Sequence, residues 1–169
     1  MGLRIANIAM LWAALAAALG TPASAAKINV QAKAKVTKPL VLKSIQNFDL
    51  GRIMLGTGTW SGATVRLSRS GVLTCAANVT CFGATRVAQY NVSGSNGQTV
   101  TIIAPDVTLV NQADASKTLK LVIDSPGTVQ LTNSGNPGMN FPLGGAITIN
   151  STTPPGVYAG TFNVSVDYQ

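Results

Sequence analysis

Polar and apolar side chains alternate without a break through residues 27–36. Ile28, Val30, Ala32, Ala34 and Val36 fall on one side, and Lys27, Asn29, Gln31, Lys33 and Lys35 on the other. A strand turns successive side chains to opposite faces, so the pattern predicts an amphipathic strand with one apolar and one basic edge. Ten residues reach roughly 33 Å when extended. Thr37-Lys38-Pro39 interrupts the run, and Pro39 has no amide hydrogen to give to a ladder, so a bend or change of strand is expected there.

Short runs of strand character follow, separated by turn residues. They cover 40–45, 48–53, 59–68 (with Ala63, Val65 and Leu67 in alternation), 72–75, 86–92, 98–103, 107–110, 118–123, 128–131 and 146–150. Gly56-Thr57-Gly58, Ser70-Gly71, residues 93–97, Pro105-Asp106, Ser125-Pro126-Gly127, residues 133–138 and Gly144-Gly145 read as the turns between them. In the closing run, residues 157–168, Tyr158, Phe162, Val164, Val166 and Tyr168 share a face, while Asn163, Ser165 and Asp167 take the other. Many short strands at near-regular spacing predict a sandwich or barrel. No helical period is visible after residue 25. The expected fold class is all-β, an immunoglobulin-like antiparallel β-sandwich.

The first 25 residues follow a different pattern. Arg4 precedes an apolar stretch at residues 8–19, Gly20-Thr21-Pro22 breaks it, and Ala23-Ser24-Ala25 supplies small residues. This is the form of a cleavable secretory signal. The stretch is shorter than the roughly 20 residues a membrane-spanning helix needs. Cleavage between Ala25 and Ala26 leaves residues 26–169 as one domain, with residues 26–38 as an N-terminal arm and no integral membrane segment. The expected destination is the periplasm, the cell surface or an extracellular fibre.

Composition narrows the chemistry. The chain has 12 Lys and Arg, 5 acidic residues and no His, and the acids are all Asp, so it carries a net charge of +7. General acid–base catalysis draws mostly on His and Glu, and the five aspartates are scattered, so no enzyme, no cofactor and no metal site is expected. Lysines crowd the arm, where they would guard an edge strand against uncontrolled pairing. Nucleic acid is not an expected partner, because no basic face carries interleaved aromatics. Cys75 and Cys81 lie six positions apart, and in an exported chain they are expected to form a disulfide.

An amphipathic strand directly behind a signal has two fates: it pairs within its own domain, or it fills a groove in a neighbour by strand addition. Pro39-Leu40 leading to Phe48-Asp49-Leu50-Gly51, the segment Phe141-Pro142-Leu143-Gly144-Gly145, and the ending Pro155-Gly156-Val157-Tyr158-Ala159-Gly160-Thr161-Phe162 with Val164, Val166 and Tyr168 resemble bacterial domain-of-unknown-function family 4402. The closing strand is also similar to that of spore-coat-U-like and archaic chaperone–usher pilus subunits. That resemblance implies a fimbrial or surface-structural role, like subunits as partners, and a periplasmic chaperone and usher for assembly. Many pilins tie the start of their first strand to a later one with a cysteine, whereas the pair here is local. The arm residues Ile28, Val30, Ala32, Ala34 and Val36 are the expected donor knobs, and Phe162, Val164 and Val166 the expected groove. The alternative is a monomeric secreted adhesin that binds a glycan, with Trp60 and Tyr90 as stacking residues.

Overall fold

A computed structural model describes residues 31–132 and 137–169. The chain divides into Met1–Lys35 and a body, Val36–Gln169. Ile28, Val30 and the Ala25–Ala26 cleavage position lie outside the described residues. Of the arm, residues 31–38 are exposed and belong to no strand.

The body contains β1 (Val41–Gln46), β2 (Arg52–Leu55), β3 (Ala63–Leu67), β4 (Leu73–Cys75), β5 (Val79–Phe82), β6 (Ala88–Ser93) and β7 (Thr99–Ile103). It continues with β8 (Val107–Asn111), β9 (Thr118–Asp124), β10 (Thr128–Gln130), β11 (Met139–Ile149), β12 (Tyr158–Ala159) and β13 (Ser165–Tyr168). All pairings are antiparallel and no helix occurs among the described residues. The main sheet runs β1-β6-β11-β9-β8-β12, with β3 and β4 attached through β11. Two smaller sheets, β10-β7-β13 and β2-β5, complete the body. The architecture is an all-β antiparallel sandwich, as the spacing of the strands led us to expect.

The apolar faces make two cores. In the first, Ala88, Val92, Val100, Ile102, Leu131, Phe141 and Leu143 are buried, drawn from β6 and the first half of β11 on one side and from β7 and the segment after β10 on the other. In the second, Ala63, Val65, Val79, Leu121, Ile147 and Ile149 are buried, from β3, β5, β9 and the second half of β11. Phe48 and Ile123 pack against both clusters. Each fully buried Leu or Phe contributes roughly 1.5–3 kcal/mol of transfer free energy, so the two clusters are the main source of stability.

The hinge between the cores corrects one sequence expectation. Gly144-Gly145 is not a turn, and residues 146–150 are not a separate short strand. Both belong to β11, which is eleven residues long. Met139–Leu143 pair with β6, Gly145–Ile149 with β3 and Gly144–Ile147 with β9. The strand therefore changes neighbours at these glycines. A Cβ on Gly144 would stand 2.5 Å from the Leu67 carbonyl oxygen and 2.8 Å from the Arg69 nitrogen. Glycine is present because another backbone approaches closely, which is a tertiary requirement.

Other boundaries moved for similar reasons. The run at 48–53 forms a strand only from Arg52, since Asp49 makes a single bridge to Arg86 and Gly51 has φ 73°. The closing run splits into β12 and β13, which pair with β8 and β7 respectively. Tyr158 thus leaves the face it was expected to share, and its hydroxyl donates to the Pro154 carbonyl at 2.8 Å. The strand β5 had no counterpart in the sequence pattern.

Candidate functional site

Three edge strands border the first core: among the described residues β1 pairs with β6 alone, and β10 and β13 each pair with β7 alone. Leu40 and Leu42 from the β1 side, and Phe162, Val164, Val166 and Tyr168 from the β13 side, all pack against the same buried cluster. The period-2 pattern of the closing run explains its half: Phe162, Val164, Val166 and Tyr168 are half-buried, while Thr161, Asn163, Ser165 and Asp167 are exposed. Phe162, Val164 and Val166 are thus brought together against the first core, and Leu40 and Leu42 join them. These two were missed because residues 40–42 form a continuous apolar run with no alternation to mark a face. No ladder joins β1 to β13 among the described residues, although apolar side chains from both sides cover the same cluster.

The β1 edge carries features that restrain pairing. Its register shifts between Ser44 and Gln46, and the Gln46 amide donates to the Val87 carbonyl at 2.8 Å. The shift leaves Ile45 57% exposed and Lys43 outward. A bulge and an edge lysine both discourage indiscriminate strand addition. The stretch from Val41 to Ser44 keeps a regular register.

A hydrogen-bonded cluster joins Lys38, Ser95 and Tyr168. The Lys38 amide donates to Ser95 Oγ at 2.6 Å. Tyr168 Oη accepts from the Ser95 amide at 2.7 Å and donates to the Lys38 carbonyl at 2.7 Å. Gly94 makes room for it: a Cβ there would lie 2.5 Å from the Tyr168 oxygen and 2.8 Å from Leu40 Cδ2. The partners are 57, 73 and 130 positions apart, so no local pattern could have announced the cluster.

The other sequence candidates sort clearly. Ala32, Ala34 and Val36 are exposed and outside any strand, with Val36 93% exposed. Cys75 and Cys81 form a disulfide with a Cα–Cα separation of 6.3 Å, joining β4 to β5 in the second half of the body. Trp60 packs against the second core, and its indole N–H donates to the Gly56 carbonyl at 3.3 Å. Tyr90 packs against the first core and stacks on Phe141 with ring centroids 5.7 Å apart. Burial pushes the Tyr90 hydroxyl pKa above its ordinary value, with a hydrogen bond to Ser44 opposing the shift.

Charge is distributed unevenly. The ion pairs found among the described residues are Arg66 and Arg69 with Asp124, at 2.8 and 3.1 Å, and Lys120 with Asp106 at 2.9 Å. All lie in the second half. Lys120, with a backbone hydrogen bond from Ile123, holds the Asp106 carboxyl below its usual range. Hydrogen bonds from Ser116 do the same for Asp114. No group of three potential metal ligands occurs among the described residues.

An all-β antiparallel sandwich is the class of protein this geometry defines. The chain belongs to the family described as domain of unknown function (DUF4402), whose model matches residues 40–168, the body without the arm. No curated protein and no solved structure matches the chain.

Proposed function

We propose that the chain is an exported structural subunit of a bacterial surface or fimbrial-type assembly, built by strand addition. One observation carries the reading. Half-buried apolar side chains from the β1 and β13 sides cover one core with no ladder joining these two strands among the described residues, while the described part of the arm is exposed and outside any strand. An alternating strand added to either edge pairs its backbone there and places every second side chain on the apolar floor. A head-to-tail contact that does not close on itself propagates into a filament. The similarity of the closing strand to chaperone–usher pilus subunits points the same way. On this reading the partners are like subunits, with a periplasmic chaperone and usher, and the location is the cell surface or an extracellular fibre.

The knobs are Ile28, Val30, Ala32, Ala34 and Val36, and the floor includes Phe162, Val164 and Val166. Burying one large aliphatic knob contributes roughly 1.5–3 kcal/mol. Deleting residues 27–36 is expected to abolish multimers in size-exclusion chromatography, and a peptide of that segment should bind the shortened body. Val30→Asp should weaken assembly far more than Lys33→Glu. Equal losses from the two substitutions, or a purified wild-type chain that stays monomeric at every concentration, would falsify the reading.

A further inference from the structure

We propose that a polar cleft on the outer face of the second half, where β9 and β11 part, is a binding site for a neutral saccharide unit of a glycan. None of its lining residues belongs to the first core, and the proposal does not rest on strand addition.

The pairing of the two strands creates the cleft. Leu121 and Ile147 are buried and lie opposite each other in the ladder. Their neighbours Lys120 and Thr148 therefore point to the outer face, as does Thr118, two positions before Lys120. The ladder between β9 and β11 ends at the Ile147–Leu121 pair, although β9 reaches back to Thr118 and β11 runs on to Ile149. Beyond that pair each strand keeps only its other neighbour, β8 for β9 and β3 for β11. A cleft of about 440 Å³ lies at this fork, lined from both strands and from the segment that follows β11. Backbone polar groups that face a fork have no ladder across it, so water or a ligand must meet them.

The wall formed after β11 is already ordered. Asn150 Oδ1 accepts from the Thr152 amide at 3.0 Å and from the Thr152 and Thr153 hydroxyls at 2.8 and 3.2 Å. The Asn150 amide donates in turn to Thr153 Oγ1 at 3.0 Å. Tyr158 holds the next residue, Pro154, by its carbonyl. With Oδ1 engaged, the Asn150 Nδ2 donors make no hydrogen bond to a described residue. A wall set in advance loses little conformational entropy when a ligand fills it.

The lining selects the ligand. Thr118, Thr148 and Thr152 bring hydroxyls that both donate and accept, Asn150 brings amide donors, and Lys117 and Lys120 bring ammonium donors. A sugar hydroxyl is likewise both donor and acceptor, so it matches this set, whereas an apolar molecule would leave the same groups unpaired. Pro154 and Leu119 supply the small apolar surface that the C–H face of a sugar ring needs. No carboxylate lines the cleft, which makes it a poor seat for a hard cation. Each lysine has an acid nearby. Lys120 is bonded to Asp106, and hydrogen bonds from Ser116, then the charge of Lys117, hold the Asp114 carboxyl low. The balance of charge favours neutral sugars over sulfated or carboxylated ones. Trp60 and Tyr90, the residues expected to stack on a glycan, pack against the two cores and line no part of this cleft.

Two probes test the site on the purified protein. One is an array of neutral, sialylated and sulfated oligosaccharides. The other is direct titration with lactose, maltose and cellobiose, followed through amide resonances. Neutral sugars are expected to bind, with shifts concentrated at residues 118–120 and 148–153. Thr148→Tyr fills the cleft from an exposed strand position that suits an aromatic residue, and should abolish binding. Asn150→Asp keeps the acceptor that orders the wall and removes the Nδ2 donors, so the dissociation constant should rise about fivefold or more. It reports even if Thr148→Tyr folds poorly, and an unchanged circular dichroism spectrum separates lost binding from lost fold. Lys43→Ala, on β1, should leave binding as it was. Failure of every neutral probe to bind overturns the proposal, as does neutral-sugar binding that survives both cleft substitutions or shifts residues elsewhere. Binding confined to sulfated or sialylated glycans and lost with added salt also overturns it, since that would mark the two lysines as an anion site.

Discussion

The two halves of the body solve the same packing problem with different means. Around Val65 and Leu121 the second half is closed. It has the disulfide, the Arg66–Asp124–Arg69 and Lys120–Asp106 ion pairs, and Trp60 tied to the chain near Ser151 through hydrogen bonds from each backbone amide. Around Phe141 and Leu131 the first half has no disulfide, and among the described residues β1 and β13 each have a single ladder partner beside half-buried Leu40, Leu42, Val164 and Val166. Among the described residues, Lys38 is bonded there to Ser95 and Tyr168, which are also bonded to each other. The contrast teaches where the molecule is built to hold its shape and where it has surface to offer.

The most direct way to break the comparison is at the strand both halves share. Gly144→Val places atoms against the Leu67 and Arg69 backbones, which cannot retreat as a side-chain end could. A loss of about 4 kcal/mol or more is expected, read from urea denaturation, because overpacking is compounded by a broken ladder. A loss under 1 kcal/mol would mean that β11 does not pass so close to β3.

Phe141→Ala tests the first half alone. The ring is 2% exposed and stacks on Tyr90, so its removal should cost about 3–5 kcal/mol. If the halves unfold as one unit, a probe in the second half will lose its structure at the same denaturant concentration. Two separated transitions would show that the closed half survives without the open one.

Removing the disulfide with Cys75→Ala and Cys81→Ala should cost about 2 kcal/mol, since so short a loop restrains the unfolded chain little. The loss of amide protection should concentrate in β4 and β5, with β13 largely spared.

Acid gives the smallest effect. The Asp106 and Asp114 carboxyls titrate below their unfolded value of 3.8. A depressed folded pKa contributes stability that is present above the unfolded value and lost as pH falls through the folded one. Thermal stability should therefore drop slightly as pH is lowered below about 4. Lys120→Met should blunt the drop, because it removes the main cause of the Asp106 shift. Both groups are exposed, so a steep acid transition from them alone would contradict their placement.

Much of this was readable before any coordinates. Alternation located the buried face of β3 and the core-facing side chains Phe162, Val164 and Val166, because a half-buried strand must alternate. The Cys75–Cys81 pair followed from number and context. The failures share a cause. Gly144 and Gly145 look like a turn to any local rule, yet they serve a neighbour's backbone. β5 was invisible because Val79 alone is buried while Thr80 and Phe82 face outward, so apolar content and burial part company.

By itself, then, the sequence determined the strand-rich class, the spacing of most elements and which side of each strand is apolar, since all of these depend on residues one to four positions apart. Tertiary structure alone decided that β11 serves two cores, that side chains from β1 and β13 cover the same core, and that Lys38 meets Ser95 and Tyr168. Those outcomes join residues tens to more than a hundred positions apart, and only the packing of the sheets sets such distances.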